Sequence, residues 1–272
     1  MKMYQIDAFT QELFKGNPAA VIVVDEWLDD HLMQNIAMEN NLSETAFVRT
    51  LDDSNYEIRW FSPLDEVAFC GHATLASAFV LFKDFTQATT IQFHVRELGI
   101  FIVSQAADGK IKMNFPIRKA ELVSDFPQEL REGLTKPFKA VYRNAQAYIV
   151  EYETVQDVLD EQPDLEKLKQ LGKIRTAITA SQPDVAITAR GEGTFDCVSR
   201  YFAPAIGIDE DPVTGSIHTA NVPLWADKLN KKQLVAFQAS ARGGILDCVI
   251  ESEQRIEISG YAKLYMQAEL LI

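Results

Sequence analysis

Basic side chains are the scarce charge in this chain of 272 residues, which carries 26 lysines and arginines against 39 aspartates and glutamates. The net charge of −13 argues against nucleic acid or an anionic membrane as partner, because both would be repelled. A small anionic substrate held by local dipoles stays compatible with it. Cysteine is also sparse. Cys70, Cys197 and Cys248 stand singly with no C-x-x-C spacing, so neither a disulfide framework nor a zinc site is suggested. The four histidines, His31, His72, His94 and His218, lack any metal-ligand spacing, and no metal is expected. No apolar run approaches the ~20 residues of a membrane span. The opening Met1–Asp7 alternates polar and apolar residues, unlike a signal peptide, so a cytoplasmic location is the expectation. No G-x-G-x-x-G follows a strand-like run, so no nucleotide cofactor is expected.

What the chain does have is an internal repeat. Trp60-Phe61-Ser62-Pro63 is answered by Tyr201-Phe202-Ala203-Pro204, at an offset of 201−60=141. Behind each comes an acidic loop, then a glycine, one polar residue and a run of helical character. The first copy reads Gly71-His72 and the second Gly215-Ser216, at an offset of 215−71=144, which fits a single loop insertion. Two related halves of this kind predict two helix N-termini facing a shared cleft, where free amide N–H groups and the helix dipole favour an anion. Length and repeat together predict two domains, 1–116 and 117–272, with the last strand, about 263–272, a candidate to pack back onto the first.

Periodicity fills in the elements. Tyr4–Phe9 and Ala19–Val24 read as strands joined through Gly16-Asn17-Pro18, and Asp25–Asn40 as a helix. Ser43–Arg49, Tyr56–Phe61, Ile91–Ser104 and Ile111–Asn114 read as strands, with Asp108-Gly109 as a hairpin turn. Residues from Pro116 to Pro137 read as a crossover. The second half offers strands at Ala147–Tyr152, Val185–Thr188 and Phe195–Phe202, a helix at Pro163–Leu171, and another from Ser216 to Leu229 that Pro223 should kink or restrict. The run His72–Phe82 is apolar on every face and must be buried all round. The expected class is therefore α+β, with a barrel or cupped sheet wrapped around a central helix in each half.

Six segments in register resemble the phenazine-biosynthesis PhzF family. They are Phe14–Val21, Leu42–Phe47, Phe69–Thr74, Ser199–Pro204, Asp211–Ser216 and Ser240–Gly244. The resemblance implies a diaminopimelate-epimerase-like fold, an isomerase without cofactor, and a homodimer. It assigns Glu44 as general acid/base, His72, Asp211 and Ser216 as residues that bind, position and polarise the substrate, and the amides at Gly71 and Gly215 as holders of a substrate carboxylate. Read from the residues alone, Glu44 could be a surface or helix-terminal glutamate, and His72, Asp211 and Ser216 could be caps. Asp209 and Glu210 flank Asp211, and only the resemblance selects among the three.

Cys70 raises a competitor, a racemase or epimerase of the same fold that uses two facing thiols. The second half has Val213 and Thr214 where the partner thiol should stand. A non-catalytic small-molecule binding protein is a further alternative. Ile217 and Asn221 depart from the commonest family pattern, which bears on the substrate rather than on the chemistry.

Overall fold

The computed structural model describes residues 1–96, 98–171 and 183–272. The chain divides into two compact units, Met1–Phe115 with Glu257–Ile272, and Pro116–Ile256. The return to the first unit thus begins at Glu257, ahead of the 263–272 strand singled out from the sequence.

The first stretch carries strands β1 (Lys2–Ala8), β2 (Asn17–Val24), β3 (Glu44–Thr50), β4 (Asn55–Phe61), β5 (Glu66–Val67), β6 (Thr90–Val95), β7 (Gly99–Gln105) and β8 (Ile111–Pro116). Its helices are α1 (Asp30–Asn40) and α2 (Gly71–Asp84). The middle stretch carries β9 (Glu121–Val123), β10 (Ala140–Arg143), β11 (Ala147–Glu151), β12 (Asp184–Arg190), β13 (Cys197–Phe202), β14 (Gln233–Gln238) and β15 (Gly244–Ile250). Its helices are α3 (Gln128–Gly133), α4 (Val155–Asp160), α5 (Leu165–Gln170) and α6 (Gly215–Leu229). Strands β16 (Arg255–Gly260) and β17 (Ala262–Glu269) close the chain.

The repeat governs the topology. In the first unit β17–β1 and β1–β2 are antiparallel, β2–β3 parallel, β3–β4 antiparallel, β4–β6 parallel and β6–β7 antiparallel. The second unit runs through the same series of directions with β9–β10, β10–β11, β11–β12, β12–β13, β13–β14 and β14–β15. Each parallel pair needs a crossover, which helices supply: α1 and α2 in the first unit, α4 with α5 and α6 in the second.

Helix α2 packs on β1, β2, β3 and β17, and buries every residue from Gly71 to Ala78 together with Val80 and Leu81. Its composition demands this, since each fully buried Leu or Val contributes about 1.5–3 kcal/mol relative to exposure. Helix α6 is buried in the same way against β12, β14 and β15, and it continues without interruption through Pro223.

Two sequence expectations need correction. The single strand Ile91–Ser104 is a hairpin, β6 and β7, because Gly99 takes a left-handed φ of +87° and turns the chain; position 97 lies outside the described residues. The crossover from Pro116 to Pro137 contains ordered structure, β9 and α3. Its three prolines and its charges mask a three-residue strand too short to show alternation.

Gly16 has a sharper role than turn formation. At φ +66°, an added Cβ would lie 2.1 Å from the Ala8 carbonyl oxygen. Gly16→Val should therefore destabilise the chain by about 1–3 kcal/mol or more through backbone strain. Urea unfolding checks this, and an unchanged midpoint would show that the β1–β2 connection tolerates a side chain.

Candidate functional site

Strand β2 opens at Asn17 because the chain reaches it through two left-handed residues, Phe14 (φ 67°) and Gly16, with the Phe14 N–H donating to Asp7 Oδ2 at 3.1 Å. Strand β3 opens at Glu44, opposite Ala19 in the parallel pair. The Cys70-Gly71 corner is anchored by Phe69, which stacks on Phe101 at 5.1 Å and meets Trp60 and Phe115 edge-on at 5.5 and 5.6 Å. Three chain segments thereby bring Asn17, Glu44, Cys70 and His72 together inside the first unit.

The geometry of this cluster is tight. His72 Nε2 lies 3.1 Å from Glu44 Oε2, and Nδ1 lies 3.1 Å from the Asn17 side-chain nitrogen and 3.4 Å from Cys70 Sγ. Glu44, Cys70 and His72 are 8%, 7% and 4% exposed, so their charges act with little screening by water. Burial opposes the imidazolium of His72, yet its neighbours prevail and hold its pKa well above 6.5. Those neighbours are Cys70 and Glu44, and burial pushes the Cys70 thiol itself up to about 11. His72 is therefore not a helix cap but the partner of Glu44. Glu44, Cys70 and His72 also present one ligand atom each within 4.8 Å of one another, a set that could hold a metal ion. Their spacing in sequence conceals it.

The second unit builds a polar cluster at the equivalent corner. Glu210 makes a bidentate pair with Arg200, at 2.7 and 2.9 Å, and Asp209 is exposed. Asp211 is the buried one of the three acids; its carboxylate accepts from the Thr214 hydroxyl and its carbonyl from Gln238 Nε2 at 2.7 Å. Gly71 and Gly215 open α2 and α6, and neither helix carries a side-chain cap from its preceding residue, Cys70 or Thr214. Ser216 lies inside α6 rather than capping it, and its Oγ accepts from Gln146 Nε2 at 2.8 Å. His218 donates through Nδ1 to the Thr214 carbonyl at 2.8 Å, and burial lowers its pKa to about 4, so it is neutral. Asn221 is fully buried, and its side-chain amide makes no hydrogen bond among the described residues.

Sequence reading missed Asp184. It opens β12 opposite Ala147, as Glu44 opens β3 opposite Ala19, and the following residues pair with Phe202 and Phe61 respectively. The offset of 184−44=140 belongs with the 141 and 144 of the repeat, a signal hidden because aspartate replaces glutamate. Tyr201 donates to Asp184 Oδ2 at 2.5 Å. Burial raises the Asp184 carboxyl to about 7, the Tyr201 hydroxyl pulls it down, and the charge of Asp211 adds to the rise.

An α+β chain of two like units, each with a glycine-led buried helix and an acid at the head of the matching strand, has clear relatives. The family model described as phenazine biosynthesis-like protein matches residues 6–268. An uncharacterized isomerase of Pseudomonas aeruginosa is 42% identical, with 99% of this chain and 98% of that protein covered. The crystal structure of a PhzF-family phenazine biosynthesis protein from Enterococcus faecalis superposes with a TM-score of 0.90 at 39% identity, covering 100% of this chain and 99% of that one. A probable proline racemase from Agrobacterium radiobacter shares the fold alone, with a TM-score of 0.65 at 10% identity over 100% of this chain and 93% of that one. The chain belongs to the phenazine biosynthesis-like PhzF family, whose curated bacterial relatives carry the name isomerase. Among the described residues no helix is long and apolar enough to cross a membrane.

Asp184 makes stability depend on pH in a stated direction. Its folded-state pKa of about 7 lies above the ordinary 3.8. The folded chain therefore keeps a proton that the unfolded chain loses, and this contribution is complete at low pH and lost as pH rises toward 7. Asp184→Asn cannot ionise, so it should raise the urea midpoint at about pH 8 and lose that advantage near pH 4. An equal effect at both pH values would contradict the assignment.

Proposed function

We propose that this chain is a cofactor-independent isomerase that moves a proton between carbons of a small carboxylate-bearing substrate. The observation that carries the reading is the buried Glu44–His72 pair at 3.1 Å. In the proposed reaction the Glu44 carboxylate takes a proton from a carbon of the substrate, and the electrons of that C–H bond pass into the conjugated substrate anion. Glu44, now a carboxylic acid, returns the proton to a second carbon, and the enzyme ends as it began. His72 Nε2 lies 3.1 Å from the carboxylate and holds it in place for this exchange. A ring nitrogen fixed beside the carboxylate keeps it oriented toward the reacting carbon, and preorganised polar groups aimed at developing charge are a large source of rate enhancement.

Gly71, Gly215 and Ser216 are assigned to the substrate carboxylate in this proposal. Backbone N–H groups at the starts of two helices that lack side-chain caps support the assignment, since each helix dipole adds roughly 0.3–2 kcal/mol of attraction for an anion. Asp211 is assigned to polarising the substrate, supported by its burial and its fixed bond with Thr214. A small substrate anion is compatible with the net charge of −13, because dispersed surface charge is screened over about 10 Å.

The thiol-racemase alternative has less support. Thr214 stands before Gly215 where Cys70 stands before Gly71, so the second half lacks the second thiol. All three cysteines are free and buried.

The decisive experiment is solvent exchange. Small unsaturated, hydroxylated or enamine carboxylic acids with acidic C–H bonds are incubated with the enzyme in deuterated water and scanned for mass gain. Glu44→Gln should slow exchange of any active compound by ~10²–10⁴-fold with folding nearly unchanged. Full exchange by that variant would remove Glu44 from the chemistry.

Cys70→Ala should leave exchange within about tenfold of the parent, equivalent to about 1.4 kcal/mol of barrier. Iodoacetamide should label Cys70 slowly at neutral pH, because so little thiolate is present. Rapid labelling with complete loss of exchange in the alanine variant would restore the thiol mechanism.

A further inference from the structure

We infer that Asp184 is a positioning residue that fixes the direction in which the Ser216 hydroxyl donates its hydrogen, acting through Tyr201 and Gln146. The inference deepens the functional reading above, since it rests on Ser216 being a substrate-binding group.

The argument is one of hydrogen-bond polarity along a chain of four side chains. Tyr201 has one hydroxyl proton, and the Asp184 carboxylate takes it at 2.5 Å. Tyr201 Oη can then only accept, so the group facing it at 2.9 Å must be the nitrogen of the Gln146 amide and not its oxygen. The same nitrogen has a second proton, which goes to Ser216 Oγ at 2.8 Å. Ser216 Oγ accepts from within the protein, which leaves its own proton to donate elsewhere. A hydroxyl held this way is a donor prepared for an anion.

Two further observations fit the chain. Gln146 Oε1 and Asp184 Oδ1 are shielded from solvent with no hydrogen-bond partner in the described structure, which is the cost of pointing the relay one way. The main chain also ties the two ends of the relay, since the Asp184 N–H donates to the Gln146 carbonyl at 3.0 Å. The whole assembly lies within the second unit.

The relay has a chemical reverse. A protonated Asp184 can donate to Tyr201, which frees the tyrosine proton for Gln146 Oε1 after a half-turn of the amide. Ser216 would then spend its proton on Gln146. The groups that set the balance are Tyr201 from β13 and Asp211 ahead of α6, with Gln146, ahead of β11, uncharged. The transition falls near pH 7, where Asp184 changes state.

Two measurements on the full chain test this, one without ligand. Side-chain amide signals of Gln146 are followed by NMR from about pH 5 to about pH 9, alongside the carboxyl carbon of Asp184. The relay predicts that the Gln146 signals move with the Asp184 midpoint and that Tyr201→Phe, which keeps every charge, uncouples them. Gln146 signals that stay flat while Asp184 titrates, or that move equally in Tyr201→Phe, overturn the inference.

The second measurement is benzoate binding by calorimetry at about pH 8 as a double-mutant cycle. Tyr201→Phe should weaken benzoate about threefold to tenfold, the worth of one oriented hydrogen bond, and should have almost no effect in the Ser216→Ala background. Equal losses in both backgrounds overturn the relay. Benzoate binding that ignores Ser216→Ala instead overturns the carboxylate role of Ser216, and the NMR titration then decides the relay by itself.

Discussion

An arginine near the end of a strand, paired through Nε and Nη2 with a glutamate on the segment that follows, fixes the approach to the buried helix in both halves of this protein. Arg59 pairs with Glu66 at 2.7 Å through Nε and Nη2, and Arg200 pairs with Glu210 at 2.7 and 2.9 Å. Each guanidinium also lies over the phenylalanine two residues on, Phe61 at 5.1 Å and Phe202 at 5.0 Å. The planar fork fixes an angle as well as a distance, which a lysine in the same place would not do. The loop it holds leads directly into the glycine that opens the buried helix. Because the glutamates are partly exposed, the pairs matter more for geometry than for net stability.

The contrast between the halves follows from what each hangs on this shared frame. The first unit places a glutamate, a thiol and an imidazole at its corner, groups that can exchange or balance a proton. The second places an aspartate, a tyrosine, an amide and hydroxyls, groups that orient hydrogen bonds. One shared arrangement of strand head and helix start thus carries a carboxylate–imidazole pair in one copy and a run of side-chain hydrogen bonds in the other. The cysteine at the first corner and the threonine at the second mark the same division.

Protonation in both corners is set by burial working against specific partners. For His72, burial opposes the proton, and Cys70 and Glu44 together raise its pKa against that burial. For His218, burial acts with only a backbone carbonyl to oppose it, and the ring is neutral. Two histidines on buried helices of one chain are therefore shifted in opposite directions, one with Cys70 and a carboxylate at 3.1 Å beside it and the other with a peptide oxygen at 2.8 Å. Composition does not distinguish them.

Much of the architecture was legible in the residues alone. The aromatic-Phe-small-Pro repeat announced two like halves and the apolar run His72–Phe82 announced a buried helix, whereas Glu44, His72, Asp211, Gly71, Gly215 and Ser216 were picked out only through the family resemblance. The repeat and the apolar run are properties of local pattern, which period and spacing encode directly. Other features were decided only by folding. That Asn17, Glu44, Cys70 and His72 meet depends on strand register and a left-handed approach to β2, and no spacing in the chain expresses it. That Asp184 matches Glu44 depends on the pairing of β11 with β12. Tyr201 and Gln146 become partners across 55 residues, where only the sheet brings a hydroxyl and an amide within 2.9 Å. Sequence specifies which groups are available, whereas their protonation and direction arise from low-dielectric contacts that exist only once the sheets have closed around their helices.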